Sequence, residues 1–125
     1  MVLGIGIDII EIERIKKSVD RFGDRFLKKI YTATELEYSL KKYNKYQHLA
    51  ARFAAKEAIY KALSSDTNEV YSWQDVEIYN EVNGLPKVKF YGNLKDYLSN
   101  GKELKISMSH SEHYVTCVAI LYSAK

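Results

Sequence analysis

The chain has 125 residues, 46% apolar and 28% charged, a balance that excludes an intrinsically disordered segment and predicts one domain spanning 1–125. A net charge of +3 is too small to imply nucleic acid by itself, and no apolar stretch is long enough to span a bilayer. The single cysteine, Cys117, lies in the apolar run 115–121. A buried, unpaired thiol suits a reducing compartment, and the N-terminus has no basic segment leading into a secretory core, so the chain reads as cytoplasmic.

Residues 1–8 form a short apolar run ending in an acid, the pattern of a buried strand. Gly4 and Gly6 begin a dinucleotide fingerprint, but its third glycine would fall on Ile9, which rejects that reading. Asp8 is left at the mouth of a strand, to meet a ligand or to cap the next helix. Ile12, Ile15, Val19 and Phe22 have helical spacing within 10–22, and Gly23 breaks the pattern. Arg14, Arg21, Arg25 and Lys28, with Lys17 close by, form a basic stripe if the helix resumes in a similar direction. Such a stripe is either a solvated face or a docking surface for an acidic partner. Thr32-Ala33-Thr34-Glu35 matches a capping box and predicts a helix to about Tyr43.

Residues 46–64 contain no Gly or Pro and are rich in strong helix formers. Ala50, Ala54, Ala58 and Ala62 recur every four residues, a line of small side chains that lets another element approach closely. Phe53, Glu57 and Lys61 fall on a neighbouring line. Taken alone, Glu57 and Lys61 read as a surface ion pair worth about 0.2–0.5 kcal/mol. A strand at 76–79, a turn at 83–86 and an alternating strand at 87–91 predict a hairpin. A short helix at 93–98 is expected next, closed by Asn100-Gly101. Strands at 104–110 and 114–122 follow, joined by the corner 111–113. The order of strand, three helices, hairpin, short helix and hairpin is α+β, with a largely antiparallel sheet packed against the long Ala-rich helix.

Three blocks carry a family resemblance: Gly4-Ile5-Gly6-Ile7-Asp8, then Arg52-Phe53-Ala54-Ala55-Lys56-Glu57-Ala58 with Lys61, then Ser107-Met108-Ser109-His110-Ser111. In their order and separation the chain resembles the holo-acyl-carrier-protein synthases, the short bacterial type of 4'-phosphopantetheinyl transferase, over essentially its whole length. The resemblance implies that fold and transfer of phosphopantetheine from coenzyme A to a serine of an apo acyl carrier protein, releasing adenosine 3',5'-bisphosphate and supporting fatty acid biosynthesis. It also implies Mg²⁺ and a homotrimer with active sites between subunits.

Attack on a phosphate of coenzyme A builds charge that a hard cation can neutralise, and Mg²⁺ typically takes one or two carboxylates beside the substrate's phosphates. Asp8 and Glu57 are the expected metal ligands and catalytic acids, meeting across strand and helix by family analogy. Lys61 is assigned to the leaving group. Arg52 and Lys56, four apart on one helical face, suit phosphate binding. Gly84, Pro86, His110 and Ser111 complete the expected nucleotide contacts, and Arg14, Arg21 and Arg25 the docking helix for the acidic carrier. The general base is not assigned; a water on the metal, Glu57 and Asp8 all qualify. His48 reads as structural, and His110 and His113 make no convincing zinc pair. The family's Gly-Lys/Arg-Pro turn is here Gly84-Leu85-Pro86, which removes a cation, and Lys87 should point to the other face. A non-catalytic binder of acidic partners would need neither Asp8 nor Glu57. An RNA-binding module would need basic and stacking residues on one strand face, which the chain does not concentrate.

Overall fold

The computed structural model describes residues 1–124, in the element order β1 (Val2–Glu11), α1 (Ile12–Phe22), α2 (Asp24–Ile30), α3 (Ala33–Leu40), α4 (Lys45–Ser64), β2 (Val76–Asn80), β3 (Pro86–Phe90), β4 (Lys102–His110) and β5 (Tyr114–Ser123). The expected α+β class is observed. β1, β5 and β4 form one antiparallel sheet in that order, and β2 and β3 form a separate hairpin. Among the described residues no helix is long and apolar enough to cross a membrane.

Helix α4 is the axis of the molecule. Ala50, Ala54, Ala58 and Ala62 are all fully buried, as their spacing predicts. The element that approaches them is β1. A methyl group on Gly4 would collide with the Ala62 carbonyl, and one on Gly6 with the Ala58 carbonyl. The two glycines of the rejected fingerprint therefore exist to let strand backbone rest on helix backbone.

Several expectations are corrected. β1 runs three residues past Asp8, because its pairing with β5 continues to Glu11 opposite Tyr114. Asp8 is thus interior to the strand and caps nothing; α1 starts only at Ile12. Nor is β1 buried on both faces. Ile5, Ile7 and Ile9 are 64, 63 and 65% exposed, and they share that outer face with their β5 partners Ile120, Val118 and Thr116. Four α-helices replace the three expected, since Gly23 separates α1 from α2. The helix expected at 93–98 is only a 3₁₀ turn, Gly92–Leu94, followed by further turns. Asn93 and Asp96 within it, and Ser99 and Asn100 just after it, favour turns over helix, and the Asn93 side chain is occupied in donating to the Val70 carbonyl, 2.7 Å.

The capping box forms as predicted, Glu35 N–H donating to Thr32 Oγ1 and Thr32 N–H to Glu35 Oε1. Glu35 does more than close a cap. It is fully buried, and its Oε2 accepts from the Ile78 N–H of β2 at 2.7 Å. Its Oε1 also pairs with Lys56 at 2.7 Å. The Lys56 ammonium donates further to the Ile30 and Trp73 carbonyls, 2.9 Å each. One buried ion pair thereby ties the end of α2, the start of α3, α4, the 3₁₀ turn Trp73–Asp75 and β2 into a single knot.

Candidate active site

The fold brings Asp8 and Glu57 together. β1 crosses α4 at Gly4 and Gly6, and the next inward position of the strand is Asp8. Burial first, and the Asp8 charge second, push the Glu57 carboxyl above the usual carboxylate range, while Lys61 pulls it back down. The Asp8 backbone carbonyl accepts from Thr116 Oγ1 at 2.8 Å, which fixes the strand there. Lys61 does not form the expected ion pair with Glu57. Its ammonium donates to the Ile7 carbonyl at 2.8 Å and stands 3.6 Å from Asp8 Oδ1. A strand carbonyl and carboxylate together hold that cation better than a lone carboxylate one helical turn away. The Glu57 carboxylate is left with no hydrogen bond or ion pair among the described residues, half-buried beside a second carboxylate.

That arrangement is short of a cation. No group of three or more His, Cys, Asp or Glu side chains suited to a metal occurs among the described residues. The pair offers only hard oxygen donors and lacks further protein ligands, which fits an ion that takes one or two carboxylates and completes its shell with phosphate oxygens and water. It does not fit a closed zinc site. Glu57 also opens onto a cavity of about 270 Å³ lined by Tyr60, Tyr71, Trp73 and Val76.

Arg52 faces elsewhere. Five helical positions separate it from Glu57, about 140° of rotation. It is 3% exposed, its Nη2 donates to Asn80 Oδ1 at 2.7 Å, and its guanidinium lies 4.4 Å from the Tyr38 ring centre. Its Nε is buried without a partner. Arg52 lines a cleft of about 450 Å³ together with Gly84, Pro86 and His110. Four of the six expected nucleotide contacts therefore converge. The turn is held to Arg52 through Asn80, whose Nδ2 donates to the Gly84 carbonyl at 3.0 Å; Gly84 has φ of +86°, a conformation that suits glycine. Lys87 lies outside the cleft, as alternation predicts.

Two expected contacts are placed differently. Lys56 is as buried as Arg52, but its three N–H donors are matched by three acceptors within 2.9 Å, leaving none for a phosphate. It lines the Glu57 cavity and not the Arg52 cleft, and in this structure its ammonium is engaged in the knot beneath α4. Ser111 lies outside the cleft and builds the β4–β5 corner, its N–H donating to the Tyr114 carbonyl and its Oγ accepting from the Tyr114 N–H. Asn80 and Tyr38 escape a reading of the sequence, since a strand-end amide and a helical tyrosine carry no signal of their own. His48 carries one: with Arg52 and Lys56 it recurs every four residues on one helical line.

Arg14, Arg21 and Arg25 are exposed on α1 and α2, along with Lys17 and Lys28. Among the described residues no acid lies within ion-pair distance of the three arginines, while Lys16 and Lys28 pair with Asp20 and Asp24.

Residues 4–125 match the family model of the 4'-phosphopantetheinyl transferase superfamily. The chain belongs to that superfamily. Among its relatives in the superfamily, a holo-[acyl-carrier-protein] synthase of Protochlamydia amoebophila is 47% identical over 96% of this chain and 98% of its own length. The crystal structure of the Neisseria meningitidis holo-[acyl-carrier-protein] synthase superposes with a TM-score of 0.87 at 30% identity, covering 98% of this chain and all of that one. A Bacillus anthracis holo-(acyl-carrier-protein) synthase in complex with CoA (3',5'-ADP) gives a TM-score of 0.79 at 32% identity, covering 98% of both chains.

Proposed function

We propose that this phosphopantetheinyl transferase moves 4'-phosphopantetheine from coenzyme A to a serine hydroxyl of an apo acyl carrier protein, in support of fatty acid biosynthesis in the cytoplasm. The serine oxygen forms a bond to the pantetheine-side phosphorus, and the bond from that phosphorus to the bridging oxygen breaks. Adenosine 3',5'-bisphosphate leaves with the electron pair, and the hydroxyl proton is released. The observation that carries the reading is the convergence of two carboxylates, Asp8 and Glu57, with a half-buried Glu57 that has no hydrogen bond or ion pair among the described residues.

Asp8 and Glu57 would hold Mg²⁺, which when bound neutralises phosphate charge and aligns attacking and leaving oxygens. Lys61, anchored by the Ile7 carbonyl beside Asp8, is positioned to receive the negative charge of the leaving oxygen. Arg52, buried yet with an unused Nε, binds the nucleotide with Gly84, Pro86 and His110. Because these groups and the carboxylates open onto different clefts, the reading places a complete site between two copies of the chain. The exposed Ile5, Ile7 and Ile9 face supports self-association: three adjacent isoleucines on one sheet face form an apolar patch that a second copy would cover. The expected assembly is a homotrimer, and sedimentation of the pure protein tests it.

The function itself is tested by incubating the protein with coenzyme A, Mg²⁺ and an apo carrier and weighing the carrier. A gain of one phosphopantetheine is expected; an unchanged mass with the carrier still bound would favour a non-catalytic adaptor. Docking is tested separately. Reversing Arg14 and Arg21 to Glu is expected to raise the carrier KM about tenfold at low salt, less at high salt, with coenzyme A binding nearly intact.

A further inference from the structure

The cleft around Arg52 contains a second histidine that neither the family blocks nor the reading above uses. His48 lies one turn before Arg52 on α4 and lines the same cleft, and His110 of β4 lines it too. None of the residues lining that cleft is acidic. Lys42 stands just outside, 4.7 Å from the Tyr38 ring that also carries Arg52. The same ring meets His48 edge-on, with 5.6 Å between centres. Basic side chains are thus gathered from α3's end, α4 and β4, and the carboxylate that acts on Arg52 from behind, Glu35, is bound to Lys56.

We propose that His48 is a phosphate-binding residue of this cleft and that, with Arg52 and His110, it takes the 3'-phosphate monoester of coenzyme A. The inference rests on the reading that coenzyme A is the donor substrate. That molecule carries phosphate in two places. The reacting pyrophosphate belongs with Asp8, Glu57 and their cation. The ribose 3'-phosphate needs cations of its own, and the Gly84-Leu85-Pro86 turn supplies none. Arg52, with a buried Nε that has no partner among the described residues, and two imidazoles lining the same cleft, one from α4 and one from β4, offer donors suited to a terminal phosphate.

The groups facing His48 also set its response to pH. Burial, then Arg52, Lys42 and His110, hold its imidazole below the usual histidine range, so the empty cleft favours the neutral form. A dianionic monoester reverses the sign of that field. Binding should therefore draw a proton onto His48, and affinity should fall as pH rises from 6 to 8.

The test is calorimetric titration of the full chain with coenzyme A, adenosine 3',5'-bisphosphate and 3'-dephospho-coenzyme A, in buffers of differing ionisation enthalpy. The expected result is tighter binding of the 3'-phosphorylated ligands, with proton uptake. In His48→Gln the discrimination for the 3'-phosphate should shrink by about three- to tenfold and the uptake should drop. His48→Arg should restore the discrimination and flatten its pH dependence, a rescue that a merely structural histidine would not give. Undiminished discrimination and uptake in His48→Gln would overturn the role of His48 while leaving the transferase intact. Failure of the unsubstituted protein to bind any of the three ligands would overturn the transferase reading and this inference together.

Discussion

Arg52, Lys56 and Glu57 lie within six positions of one helix, yet two kinds of surroundings divide them. In the knot beneath α4 every polar atom is matched: the Lys56 ammonium has three acceptors, and both Glu35 oxygens are bonded. At the clefts on either side, groups of comparable charge are left incomplete among the described residues, an Arg52 Nε without an acceptor and a half-buried Glu57 carboxylate without a donor. The difference separates construction from chemistry. A saturated buried pair holds elements in place and has nothing left to offer a ligand, whereas an unsaturated polar group is costly in the free protein and gains when a ligand arrives.

The sharpest way to break that distinction is to remove Glu57. In Glu57→Gln the side chain keeps its shape but loses the charge proposed to hold Mg²⁺. Several kcal/mol of transition-state stabilisation would go with it, so kcat should fall by about 10²–10³ or more. Thermal stability should not drop, because no hydrogen bond or ion pair of Glu57 is lost and its repulsion with Asp8 is relieved. Asp8→Asn should lower kcat similarly. Full activity in Glu57→Gln, measured by carrier mass gain, would remove Glu57 from the metal site.

Lys56 should behave in the opposite manner. Lys56→Ala leaves Glu35 charged and buried with no cation, a loss of about 3–5 kcal/mol, or about 10–20 °C in Tm for a chain of this size. Adding Glu35→Gln to Lys56→Met should recover part of that loss, since the stranded charge is gone. Where these variants are folded, the KM for coenzyme A should stay within about threefold of the original. A selective rise in that KM without a change in Tm would return Lys56 to phosphate binding.

Sequence and structure agree where a pattern repeats and part where a partner is distant. The four alanines of α4 predict a close approach, and the capping box at Thr32 and Glu35 predicts a helix start; both are local and both form. Only the family resemblance pairs Asp8 with Glu57, and the chain's own pattern gives no hint that β1 continues to Glu11 and leaves Asp8 inside the strand. Arg52 and Lys56 look interchangeable in the sequence. Only the positions of Ile30, Trp73 and Glu35, each supplied by a different element, reveal that one of them is spent. The turn segment after β3 fails for a related reason: its helix-like spacing is weak, and Asn93 finds a partner outside the segment.

The smallest expected effect tests whether the unsaturated side needs its own scaffold. Asn80 holds Arg52 through Oδ1 and the 81–85 turn through Nδ2, so one amide sets the spacing between the guanidinium and Gly84. In Asn80→Ala the guanidinium keeps its stacking on Tyr38 but loses its only hydrogen bond to a side chain among the described residues. Asn80 is half-buried, so the stability cost should be about 1 kcal/mol. Arg52 would then have two unplaced faces where it had one, and ordering it would fall to the incoming nucleotide. A three- to tenfold rise in the KM for coenzyme A, about 1 kcal/mol of binding, is expected with kcat nearly unchanged, because neither carboxylate moves. Arg52→Ala should raise the same KM further, and the double variant should add nothing to Arg52→Ala alone, since Asn80 acts on the nucleotide only through the arginine it holds.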